Sequence, residues 1–320
     1  MPRLFSQRFI VPFLSLLAAG GLVAVVAPPQ DGPGEFSPRA QVAPPAPGAR
    51  VLIIGIDGLG AAELRARPLE NVGRLMREGA STLHARGVLP TDSSPNWASM
   101  IMGAPPELHG VTSNDWSPSR PGVPLIGSTP SVRWPTIFGI VRSERPAAVT
   151  GVFHEWDGFA RLIEPGVATV IERHRTAERT AERAAAFIRE QGPMLTFVHL
   201  DLVDLAGHES GWDSREYQGA AQLADTLVGL LLAAVRDSGA EAQTTVLVTS
   251  DHGGTGYSHG GATLLELEIP WIARGAGIAR GVVIERAVST SDTAPTVAAL
   301  LGLRVPPVWT GRPVAEAFEK

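Results

Sequence analysis

Four short apolar runs, at residues 51–56, 147–153, 194–200 and 245–249, each close on polar residues or glycine and set the frame for any fold this chain can take. Runs of that length suit a strand buried on both faces. Helical patterns lie between them, at 69–78, 176–190 and 215–235. Strands alternating with helices need crossover connections, so the expected fold is α/β: a mostly parallel central sheet with helices on both faces, in a single domain. In such sheets ligands bind beyond the carboxyl ends of the strands. The residues just after each run are therefore the ones to read.

Composition narrows the chemistry. The chain has 320 residues, 44% of them hydrophobic, enough for a sizeable core. It has no cysteine, which excludes disulfides, thiolate ligands and cysteine nucleophiles, so any metal must sit on oxygen and imidazole. A formal charge of −5 lacks the basic footprint that nucleic acid requires, and no nucleic-acid partner is expected. Lysine occurs only at Lys320, which leaves arginine as the cation for any substrate contact.

Arg3 and Arg8 precede an uncharged run at 9–27, which as a helix would span about 28 Å. Residues 1–27 read as a signal peptide or signal anchor. The rest would then be exported to the periplasm or the extracellular space, or held at the membrane by residues 9–27. Residues 28–50 are crowded with Pro, Gly and Ala and read as a linker. The folded domain is expected over 51–320.

The strand ends are rich in metal-binding groups. Asp57 follows the first run; Asp201, Asp204 and His208 follow the third; Ser250, Asp251 and His252 follow the fourth, with His259 seven residues on. Asp204 and His208 are four apart, so a helical turn there would point both to one side. Asp251 and His252 are adjacent and are expected on the turn beyond the strand, where they could ligate or bridge. Glycines at 253, 254, 260 and 261 would let the backbone pass close to an ion. Even with Asp201 set aside, three aspartates and three histidines exceed one tetrahedral site but suit two ions that each keep an open position. Zinc is the first expectation for such mixed ligands and Mn²⁺ the second.

Between the first two runs, Leu89-Pro-Thr-Asp-Ser-Ser-Pro-Asn-Trp leads through a hydroxyl-rich turn into a short helix expected to open at Pro95. With the strand-end residues, this set resembles the alkaline phosphatase superfamily, most closely its type I phosphodiesterase/nucleotide pyrophosphatase branch. The branch carries its nucleophile two residues before the proline of a Pro-Thr-x-(Thr/Ser)-x-Pro-Asn stretch, here Ser93. The resemblance implies one ion on Asp57, Ser93, Asp251 and His252 and a second on Asp204, His208 and His259. It also implies a phosphate contact from Asn114, a phosphoseryl intermediate on Ser93, and a phosphorylated small molecule as substrate, either a phosphate mono- or diester. The alternatives are an arylsulfatase or phosphonate-type hydrolase on the same fold, or a non-catalytic, membrane-tethered metal-binding module.

Some positions depart from the branch. Serine replaces its usual threonine at 93, His259 follows His252 without the long insertion of the eukaryotic diesterases, and Trp97 stands where a sulfatase motif needs arginine. His199, inside a strand run, is expected to be a hydrogen-bonded core residue, and His109 a turn residue behind the site. His154, Trp156, Asp157, Trp116 and Trp212 are candidates to line the cleft, and Asp201 to support Asp204.

Overall fold

The computed structural model describes residues 47–119 and 134–319. The expected leader, and all but the last four residues of the expected linker, lie outside the described residues. Eight strands form one sheet: β1 (Arg50–Ile56), β2 (Ala80–Arg86), β3 (Thr150–His154), β4 (Val170–Arg173), β5 (Leu195–Leu200), β6 (Thr244–Thr249), β7 (Glu268–Gly275) and β8 (Val282–Val283). Their spatial order is β4-β3-β5-β1-β6-β7-β2-β8. The first five are mutually parallel, and only β7 runs against its neighbours, β6 and β2.

All four expected strands are present, each within three residues of the expected start. β1 shows why they read as unbroken apolar runs. Val51 and Ile53 pack into the core on one face, while Leu52, Ile54 and Ile56 pack into the core on the other. Burial on both faces removes the polar alternation. The opposite core is closed by the helices Glu70–Glu78, Ala177–Gln191 and Arg215–Asp237. Thr176 and Ser214 cap the last two through side-chain oxygens that accept from Arg179 N and Tyr217 N. By length and composition Arg215–Asp237 could cross a membrane, yet Ala221, Ala224, Val228 and Leu231 are fully buried in this core.

Register places the chemistry. β1 lies between β5 and β6, with Ile56 opposite Leu200 and Gly55 opposite Thr249. Asp57, Asp201 and Ser250 therefore leave three adjacent strands at one edge of the sheet. β2 runs in the same direction, so the chain leaving it at Arg86 reaches the same edge and enters the helix Ser93–Met102. That helix begins at Ser93, two residues before Pro95, with Asp92 at its cap position.

Candidate active site

The centre of the site is the turn after β1. Gly58 has φ +71°, and a Cβ there would come within 2.8 Å of Asp204 Cα, so only glycine lets this turn meet the helix Leu202–Ser210. Three groups fasten the turn: Trp212 Nε1 and the Tyr217 hydroxyl donate to Gly58 O at 3.1 and 2.9 Å, and Gly60 N donates to Tyr217 Oη at 3.2 Å. Gly58 N donates to Asp251 Oδ1 at 3.2 Å, which ties the end of β1 to that of β6. Asp57 and Asp251 are fully buried and Asp204 nearly so.

The three expected histidines share one device. Nδ1 of His252, His208 and His259 lies 2.9, 3.0 and 2.8 Å from the carbonyl oxygens of Gly253, Tyr257 and Thr91. A carbonyl only accepts, so each Nδ1 carries the proton and each Nε2 presents a lone pair. His252 Nε2 faces Asp57 Oδ1 at 3.4 Å, Asp251 Oδ2 at 3.2 Å and Ser93 Oγ at 3.3 Å. His208 Nε2 and His259 Nε2 lie 3.1 Å apart, with Asp204 oxygens at 3.4 and 3.7 Å. The His252 and His259 rings stack at 3.8 Å.

This arrangement lacks positive charge. Burial raises the pKa of Asp57, Asp204 and Asp251 well above the carboxylate range, lowers that of His252, and takes His259 down to about 4. Among the described residues no arginine pairs with these carboxylates. Asp57 Oδ1, Asp204 Oδ1 and Asp251 Oδ2 are buried without a hydrogen-bond donor. Orphaned carboxylate oxygens, facing imidazole lone pairs, form a donor set that a divalent cation would satisfy. Asp57, Asp251 and His252 could hold one ion beside Ser93. Asp204 and His259 cluster with His252, and His208 reaches Asp204 and His259 at 3.4 and 3.1 Å, so Asp204, His208 and His259 could hold a second.

Ser93 is fixed from both sides. Asn96 Oδ1 accepts from Val88 N at 2.6 Å, and its Nδ2 donates to Asp92 O at 2.9 Å, which closes the 88–92 loop onto the helix start. Thr91 Oγ1 donates to Gly261 O at 2.7 Å and accepts from Gly260 N at 3.0 Å, joining that loop to the one carrying His259. Asn114 Oδ1 accepts from Ser94 N at 2.7 Å, so its Nδ2 is left as a donor on the amide's other arm. Arg161 donates to the carbonyls of Trp116 and Asn114 at 3.2 and 3.4 Å and anchors that loop, a role that no spacing in the sequence announces.

The surrounding residues sort differently from some expectations. The glycines at 253, 254 and 261 face Leu265 O, the Trp212 indole and the Glu266 carboxylate, so their small size serves packing of the loop on the protein. Trp212 is buried against His208 and His259 and does not line an open cleft. His154 is buried and bonded to Trp156 O, while Asp157 pairs with Arg173. His109, expected as a turn residue, is buried between Ser99 Oγ and Val111 N. His199 is buried in the core, pushed down to about 4 by burial and therefore neutral, with Nε2 3.0 Å from Asp57 Oδ2. Trp97 Nε1 donates to the same oxygen at 3.0 Å. Asp201 lies beside Asp57 and His199, and its backbone N donates to Glu155 Oε1 at 3.0 Å.

Residues 51–268 match the family model described as type I phosphodiesterase / nucleotide pyrophosphatase. The chain is 24% identical over 219 residues to mouse bis(5'-adenosyl)-triphosphatase enpp4, covering 64% of this chain and 47% of that protein. It spans between about a quarter and a half of the length of the curated relatives it matches first. In fold it is similar to human ectonucleotide pyrophosphatase / phosphodiesterase 5 (TM-score 0.72, 16% identity, 85% of this chain and 100% of that one). It is also similar in fold to a phosphonate monoester hydrolase from Silicibacter pomeroyi (TM-score 0.62, 16% identity, 83% and 75%). The chain belongs to the type I phosphodiesterase/nucleotide pyrophosphatase family, within the alkaline phosphatase superfamily.

Proposed function

We propose that this protein is an exported, two-metal phosphoesterase that hydrolyses phosphate mono- or diesters, or nucleotide pyrophosphates, through a phosphoseryl intermediate on Ser93. The observation that carries the reading is that Ser93 Oγ meets His252 Nε2, which faces the orphaned oxygens of Asp57 and Asp251, while His252 in turn clusters within 4.8 Å of Asp204 and His259. Asp57, Asp251, His252 and Ser93 would hold one ion, and Asp204, His208 and His259 the other, with Zn²⁺ the first choice and Mn²⁺ the second. When bound, such ions lower the hydroxyl's pKa and stabilise a leaving oxygen.

The chain's own residues account for the rest. Ser93 Oγ, its proton released to solvent, bonds to phosphorus as the bond to the ester or anhydride oxygen breaks; water then attacks phosphorus and the bond to Ser93 breaks, the water's proton restoring the hydroxyl, so two in-line steps give net retention. Asn114 Nδ2 donates to a non-bridging oxygen, held in place by Ser94 N and by the Arg161 anchor on its loop. A sulfatase reading is disfavoured because Trp97, at the motif's arginine position, is committed to Asp57. Residues 9–27 would carry the chain to or across the membrane.

Ser93→Ala is expected to lower turnover by at least about a thousandfold while both ions stay bound. Turnover of an aryl phosphate monoester, a diester, a nucleotide pyrophosphate, a phosphonate monoester and a sulfate by metal-quantified protein checks both nucleophile and substrate class. Wild-type rates in the alanine variant would sink the assignment.

A further inference from the structure

We propose that His199 is a positioning residue that decides which oxygen of Asp57 faces the ion. The inference rests on the reading of Asp57 as a metal ligand and concerns how that carboxylate is aimed. Asp57 Oδ2 is flanked by His199 Nε2 and Trp97 Nε1, each at 3.0 Å. An indole N–H can only donate. With an ion on its other oxygen Asp57 is ionised and can only accept, so the His199 proton then sits on Nε2 and its Nδ1, buried without a partner, is a bare lone pair. Two donors thus occupy Oδ2, while Oδ1 receives none and faces His252 Nε2.

The same geometry settles the nature of the neighbouring group formed by Asp57, His199 and Asp201. With the Trp97 and His199 protons both on Oδ2, the two lone pairs of that oxygen are taken and a cation there would have to displace one of them, so this group reads as support for the site rather than a third ion-binding position. The His199 ring cannot turn away. It is fully buried, with Trp97 and Phe159 each 5.1 Å from it and Trp156 stacked at 6.4 Å. Gly55 on β1 leaves the space into which Trp97 fits, since a Cβ there would lie 2.6 Å from the indole. An aimed carboxylate binds its ion more tightly than one free to rotate, and removing such a partner from a ligand commonly costs ten- to a hundredfold in affinity.

The test compares His199→Phe, which keeps an aromatic ring and loses the donor, with His199→Gln, which restores an N–H, and with Asp57→Asn. Zn²⁺ affinity is measured on the full chain by competition with a chromophoric chelator, alongside the melting temperature of the metal-free protein and kcat and KM for an aryl phosphate. His199→Phe is expected to weaken one of two Zn²⁺ equivalents by about tenfold or more. The other equivalent, the metal-free melting temperature and KM should stay near wild type while kcat falls, and His199→Gln should recover most of the affinity. If His199→Phe binds both equivalents as wild type does while Asp57→Asn loses one, the positioning role is wrong and the ligand reading stands. If Asp57→Asn keeps both, the ligand reading itself fails. Should His199→Phe not fold, Trp97→Phe removes the other donor to the same oxygen and carries the same expectation.

Discussion

A carboxylic acid cut off from water holds its proton to higher pH, and Glu155 is such a group. Burial takes it up to about 8, and burial takes its neighbour Asp201 up to about 6. In the unfolded chain both would ionise near pH 4. The folded state therefore binds more protons than the unfolded one across this interval. Their contribution to stability is full below about pH 4 and is lost as pH rises through about 6 and then about 8. Above about pH 7 the histidines that burial keeps neutral, such as His199 and His259, are neutral in the unfolded chain as well, so chelator-treated protein should melt at progressively lower temperature from there to pH 8.5, and Glu155→Gln should flatten that slope. A wild-type profile that rises between pH 7 and pH 8.5 would contradict the burial of Glu155 as a neutral acid. Glu155 also marks the limit of what the sequence discloses. Asp57, Asp204, His208, Asp251, His252 and His259 were legible because each ends or follows an apolar run. Glu155, Arg161 and the Trp97–Asp57 contact depend on which chain segments meet, and local spacing does not record that.

At the scale of elements, the parallel strands were legible because burial on both faces writes a continuous apolar run, and β2 and β7 were not. β2 reads Ala-Ser-Thr-Leu-His-Ala-Arg, polar enough to pass for a loop. β7 carries Pro270, which argues against a strand, and the β2–β7 register shifts between Thr82 and Ala85, across the span where Pro270 would need a partner. The helix Glu70–Glu78 shows a second kind of hidden support. It has no side-chain cap of its own. Asp225, far along the chain, accepts from Asn71 N at 3.0 Å and Val72 N at 2.8 Å, so one buried carboxylate satisfies two donors of the helix's first turn. Asp225→Ala should cost about 1–2 kcal/mol, by comparison with lost helix caps, and leave Zn²⁺ binding unchanged. Chemical denaturation together with metal titration checks both halves, and an unchanged unfolding midpoint would refute the capping role.

For the whole molecule, the site joins the ends of β1, β5 and β6 to the loops that follow β2 and β6, so it exists only when the sheet is complete. Ions bound there should stabilise the fold as well as serve the reaction. With free Zn²⁺ at about a hundred times Kd, each site would add roughly 2.7 kcal/mol. Chelation should therefore abolish hydrolysis and lower the melting temperature by several degrees, and Zn²⁺ should restore both; a melting curve indifferent to chelator would argue against ions at the buried carboxylates. Finally, the three imidazoles are oriented by main-chain carbonyls at Gly253, Tyr257 and Thr91 rather than by side chains. A backbone acceptor survives any substitution at its own position as long as the loop keeps its path. The tautomers that aim the Nε2 atoms are thereby insulated from mutational drift, which lets the surrounding sequence diverge while the arrangement of donors stays the same.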